Sequence, residues 1–181
     1  MRVLRSFLVT ALLLPGFLLV AAPCVSHAAT YLVLPDGTGD FPTIQAAIEA
    51  CQDGDTVLLG DGVFEGEGNR DLDYGGRAIV VASQSGIAEQ CVLSPQGSQE
   101  EPHRAVTFQA GEGPDAVLRG VKITGGYGFY GSYPYAPSGG GVFCDEGTSA
   151  TIESCVFAEN GADYGAGLFA QPFTSPLIRD C

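Results

Sequence analysis

Gly140-Gly-Val-Phe-Cys144, followed by Thr151-Ile-Glu-Ser-Cys155, decides how this chain is read. The first segment returns as Ala166-Gly-Leu-Phe-Ala170 and the second as Leu177-Ile-Arg-Asp-Cys181, each 26 residues on. Two separate segments sharing one offset define a repeat. A repeat of this length, made of short strands between Gly-rich turns, is one coil of a solenoid. One coil buries little by itself, and stacking supplies the core. The expected fold is all-β: a right-handed parallel β-helix of about five coils, with strands of successive coils paired about 4.8 Å apart.

Earlier parts of the chain fit the template less regularly. Leu118-x-x-Val121-x-Ile123 matches Ile152-x-x-Cys155-x-Phe157 at an offset of 34, the extra eight residues falling in a Gly/Tyr-rich insertion near 126–138. Gly76-Arg-Ala-Ile-Val80 is aligned with His103-Arg-Ala-Val-Thr107 at an offset of 27. Stacking then places Cys91, Val121, Cys155 and Cys181 in one inward ladder and Leu93, Ile123 and Phe157 in another. Arg119, Glu153 and Arg179 alternate with these and are expected to face out. Cys155 and Cys181, one coil apart, lie within disulfide reach. Stacked side chains point the same way, which favours a reduced stack packed as small apolar residues. A bridge between Cys51 and Cys91 stays open, and with five cysteines after residue 28 at least one thiol is unpaired within the chain.

Toward the N-terminus, Ile44, Ala47, Ile48 and Cys51 follow helical spacing over 42–51, with Asp40 and Pro42 suited to the start and Gly54 to the end. An amphipathic helix here is placed to cap the first coil, whose edge otherwise invites aggregation. Before it, Arg2 and Arg5, the apolar run Phe7 to Ala22 and Ser26-His27-Ala28 have the layout of a secretory signal peptide over 1–28. Residues 29–181 then form the β-helix domain. The run is too short for a membrane span and no later stretch is long enough for one. The chain stops inside a repeat strand, so this domain is expected to be incomplete at its C-terminus.

The charge narrows the partners. Removing Arg2 and Arg5 takes the net charge from −13 to −15, and Lys122 is the sole lysine. Nucleic acid, which is held mainly through Lys and Arg, is excluded as a partner.

Asp36-Gly-Thr-Gly-Asp-Phe-Pro-Thr-Ile-Gln-Ala-Ala-Ile48, with Gly54-Asp-Thr-Val-Leu58 and Gly62-Val-Phe-Glu65, resembles the N-terminal cap and first coil of pectin-lyase-like β-helix proteins, and pectinesterases open similarly. Phe157-Ala-Glu-Asn160 and Gly165-Ala-Gly-Leu168 are similar to the Phe-x-x-Asn and Gly-Gly-Ala-aliphatic repeats of polymorphic outer-membrane proteins, although Ala166 replaces the second Gly. The first resemblance implies the scaffold. The second implies a bacterial surface protein. The Gln-Asp-Thr-Leu, Asp-Phe-Ile-Phe-Gly and Leu-Gly-Arg-Pro-Trp segments that carry pectinesterase catalysis are missing, and the chain has no Trp. A polysaccharide-active enzyme would therefore need its catalytic coils beyond residue 181.

Three stretches carry binding chemistry. Tyr127, Phe129, Tyr130, Tyr133 and Tyr135 crowd the insertion; insertions in solenoids become loops on one face, and aromatic rings suit sugar faces. Glu65, Glu67, Asn69, Asp71 and Asp73 set oxygens at alternate positions, a calcium reading that lacks the glycine and closing Glu of an EF-hand. His103, the sole histidine after residue 28, reads as a surface turn residue beside Arg104, and the neighbouring acids Asp145 and Glu146 as a solvated pair. The function expected is a secreted or cell-surface protein that binds glycans or surfaces. An enzyme and a passive stalk are the alternatives.

Overall fold

The computed structural model describes residues 27–130, 137–145 and 147–181. Most of the predicted signal segment lies outside them. The chain runs in circuits. β1 (Thr30–Val33) and α1 (Ile44–Ala50) open it. β2 (Thr56–Leu59), β3 (Gly62–Glu65) and β4 (Leu72–Asp73) make the next circuit, and β5 (Val80–Ser83), β6 (Cys91–Ser94) and β7 (Val106–Phe108) the one after. β8 (Val117–Arg119) and β9 (Lys122–Thr124) follow, then a small antiparallel hairpin of β10 (Phe129–Tyr130) and β11 (Pro137–Ser138), then β12 (Val142–Cys144). β13 (Thr151–Glu153), β14 (Val156–Ala158), β15 (Leu168–Ala170) and β16 (Leu177–Arg179) complete it.

Each of the four circuits from β2 to β15 adds one strand to each of three parallel sheets, and β1 and β16 add to one sheet alone. Sheet A is ordered β1-β2-β5-β8-β13-β16, sheet B β3-β6-β9-β14 and sheet C β4-β7-β12-β15. The protein is thus predominantly β, with parallel strands in stacked sheets, an arrangement compatible with a solenoid.

The registers test the repeat directly. Successive strands of sheet A are 26, 24, 37, 34 and 26 residues apart. The 26- and 34-residue offsets seen in the sequence are real pairings: Phe143 lies beside Phe169, and Ile152 beside both Ile178 and Leu118. The 27-residue offset is not. Val106 pairs with Leu72 and Val80 pairs with Val117, so the alignment joined a strand of sheet A to one of sheet C. Both are buried strands after a turn, and apolar alternation alone does not tell the sheets apart. The eight extra residues do lie in the insertion: Thr124 to Val142 spans 18 positions, and Ala158 to Leu168 spans 10.

The core is continuous along the stack. Leu93 lies beside Ile123, which lies beside Phe157; Leu93 and Ile123 are fully buried and Phe157 packs on the cluster. Cys91, Cys144 and Cys155 sit inside, and all five described cysteines are free. Burial pushes the thiols of Cys91 and Cys144 up to about 12, as expected of inert packing residues. Cys181, placed on the inward ladder by the sequence, is exposed on the last turn. Glu153, expected to face solvent, is 8% exposed because Arg119 and Arg179 of the adjoining strands close over its carboxylate from both sides.

α1 buries Ile44, Ala47 and Ile48 against β1, β2 and β4. Its cap is Thr43, whose Oγ1 accepts from the Ala46 amide at 3.3 Å, rather than Asp40. Gln45 performs a strand's work at the open side of β4. Its Oε1 accepts from the Asp73 N–H at 3.0 Å and its Nε2 donates to the Asp73 carbonyl at 3.3 Å. Edge groups that would otherwise template further pairing are thereby filled. Among the described residues no helix is long and apolar enough to cross a membrane.

Candidate functional site

The turns between sheets B and C stack into one edge. Among the described residues it carries 66–71, 95–105, 125–130 with 137–141, and 159–167 of successive circuits. The acidic stretch and the aromatic insertion, more than 50 positions apart, are therefore on the same side of the molecule. Backbone bonds lace these turns together: Gly97 N–H to Gly125 O at 2.8 Å, Tyr127 N–H to His103 O at 2.7 Å and Gly161 N–H to Gly126 O at 2.8 Å. The approach demands glycine. A Cβ on Gly126 would sit 2.1 Å from the Gly140 carbonyl oxygen, and one on Gly140 would sit 2.4 Å from that of Gly161.

The Phe-x-x-Asn motif has a part in this lacing. Phe157 turns inward and packs beside Gly141 and Gly167. Asn160 accepts from the Gly126 N–H and donates to the Ile123 carbonyl, both at 2.9 Å. These contacts join one circuit to the next, which gives the motif a structural account independent of any ligand.

At the centre of the edge lies a pairing that the sequence reading missed. Asp71 Oδ2 meets His103 Nδ1 at 2.6 Å, and Asp71 Oδ1 accepts from the Arg104 N–H at 3.0 Å. Asp71 adopts a left-handed φ of +52°, uncommon for a residue other than glycine, and so presents both oxygens to the next turn. An ionised carboxylate only accepts, so His103 carries its proton on Nδ1. Among the described residues no protein group meets Nε2. The His103 side chain is 24% exposed, so it is neither a free surface residue nor a core one.

Arg104 points the other way and is 5% exposed. Its guanidinium lies 4.6 Å from the Phe129 ring centre and 4.5 Å from that of Phe143, and its Nη2 donates to the Ser138 carbonyl at 3.0 Å. Burial lowers its pKa to about 10, against the pull of Asp71 and Asp145. Phe129 also meets the edge of the His103 ring, centroids 6.4 Å apart. Part of the insertion thus folds back over the scaffold.

The predicted binding residues divide accordingly. Tyr127 and Phe129 are half-buried on the edge, Tyr127 lying against Gly161. Tyr130 is placed in β10 by its backbone; Tyr133 and Tyr135 lie outside the described residues. Tyr164, not singled out from the sequence, is 50% exposed one turn beyond Tyr127. On the same edge Phe157, Ala158, Glu159, Asn160 and Gly167 line an open depression of about 150 Å³.

Glu65, Glu67, Asp71 and Asp73 do not converge. Asp71 is committed to His103 and Arg104, and Asp73 to the Gly75 N–H and the Gln109 amide, at 2.8 Å each. Among the described residues no group of three or more His, Cys, Asp or Glu is placed to hold a metal ion. Asp145 accepts from Gln171 Nε2 at 3.0 Å, and Glu146 lies outside the described residues. The chain matches no protein-family model, no curated protein and no solved structure.

Proposed function

We propose that the chain is an exported, right-handed parallel β-helix of the pectin-lyase-like kind, capped by α1, whose B-to-C edge binds a glycan at a cell surface or outside the cell. The parallel three-sheet order supports the scaffold, and parallel crossovers are right-handed in nearly all proteins. The pattern over 1–28 supports export. The observation that carries the binding reading is the meeting of half-exposed aromatic rings with an oriented imidazole on one edge. Sugar sites combine flat apolar faces with a few fixed polar groups. A passive stalk is the second reading, favoured by Phe129, which covers Arg104 and so has packing work of its own.

Titration of the chain against a polysaccharide panel, following tyrosine fluorescence, tests the reading. A saturable change with one or more members is expected. No response from any member, with an intact β signal in circular dichroism, would leave the stalk.

A further inference from the structure

We infer that His103 Nε2 is the polar anchor of this edge, and that the ligand it selects is an uncharged glycan rather than a uronate or other anionic polymer. The inference rests on the glycan-binding reading above and names the group and ligand class within it. Two contacts hold the imidazole: Asp71 grips Nδ1, and the Phe129 ring meets its edge. The carboxylate that orients it is itself fixed by the Arg104 backbone N–H. A side chain held this way loses little freedom when it meets a ligand, so its hydrogen bond is gained at low entropic cost. No protein group among the described residues meets Nε2, and Tyr127 joins the same turn through its N–H bond to the His103 carbonyl at 2.7 Å.

Charge selects the ligand. The turns of this edge and their flanks expose Glu65, Glu67, Glu100, Glu101, Glu159 and Asp163. Of the two arginines on these turns, Arg104 is buried between two rings, and Arg70, half-buried, donates to the Pro95 carbonyl at 3.4 Å, so six exposed acids face one partly exposed cation among the described residues. A polyanion meets repulsion here, whereas a hydroxyl does not. With its proton on Nδ1, neutral His103 accepts from a sugar hydroxyl at Nε2; protonated, it donates to the same hydroxyl. A bond to a carboxylate would need the protonated form.

The test compares neutral and uronate polysaccharides at neutral pH and low salt, with wild type, His103→Ala and His103→Gln. Binding of the neutral glycan is expected to weaken about tenfold in His103→Ala, the worth of one oriented hydrogen bond, and to recover to within about threefold in His103→Gln. In residues 29–181 His103 is the sole histidine, so its imidazole nitrogen resonances report on the wild type without any variant. The Nε2 signal is expected to shift on adding glycan. Unchanged affinity in a folded His103→Ala, an unmoved Nε2 signal under saturating glycan, or uronate bound as tightly as neutral polymer would each overturn the inference while leaving glycan binding intact. Absence of binding to every glycan would instead overturn the reading beneath it.

Discussion

Two carboxylates on opposite edges of the molecule show what separates scaffold from site. Glu112 lies on the turns from sheet C back to sheet A and is fully buried. Its two oxygens accept from the Gly76 and Ala110 N–H groups, each at 2.9 Å, and its carbonyl accepts from Ser149 in the next circuit. Every oxygen is spent on backbone, so it joins three successive turns. Asp71, on the B-to-C edge, spends one oxygen on backbone and gives the other to an imidazole whose far nitrogen is open. The chemistry is the same and the outcome differs. A carboxylate saturated by amides holds the fold, and one that orients a partly exposed histidine has a consequence at the surface.

The largest expected effect breaks the first half of this comparison. Glu112→Ala removes both bonds from the buried carboxylate to the Gly76 and Ala110 amides and should cost roughly 3–6 kcal/mol, at about 1.5–3 kcal/mol for each bond to a charged group. Denaturant unfolding would measure it. Asn160→Ala should cost about 1–3 kcal/mol by the same method, since it removes both side-chain bonds from Asn160 to the preceding circuit. Asp71→Asn keeps the volume and is expected to stay within about 1.5 kcal/mol of wild type, yet to weaken glycan binding by freeing the imidazole. If the two isolated effects were reversed, with Glu112 governing binding and Asp71 stability, the contrast would fail.

The smallest effect concerns a third carboxylate. Burial pushes Glu153 upward, but Arg179 and Arg119 outweigh it and hold the carboxyl below its ordinary 4.5. A depressed folded value contributes stability that is fully present above about pH 4.5 and lost as pH falls through the folded value. Acid titration of unfolding should therefore steepen below about pH 4.5 in the wild type and flatten in Glu153→Gln. An identical acid limb in both proteins would mean the arginine pair contributes nothing.

Much of the scaffold was legible because it is periodic. Ile123, Ile152 and their neighbours recur at fixed positions, and α1 carries its apolar face at helical spacing. The irregular circuits were not. Those between β5 and β13 are 37 and 34 residues long, and length added in turns destroys the offset that reveals stacking. The site suffers most from this. Asp71 and His103 are 32 positions apart and meet because two turns of different length stack. No local pattern encodes that, and Asp71 was read instead with its sequence neighbours as a calcium ligand. Arg104 was likewise unreadable, because its burial depends on Phe129 and Phe143 closing from two later segments.

Hydrogen–deuterium exchange of the chain with and without a saturating neutral glycan tests the central claim most directly, because it reports on both edges at once. The account predicts added protection in residues 95–104 and 125–130 and none in 74–79 or 109–116. Protection confined to the C-to-A edge would contradict it, as would bound glycan with no change at the B-to-C edge.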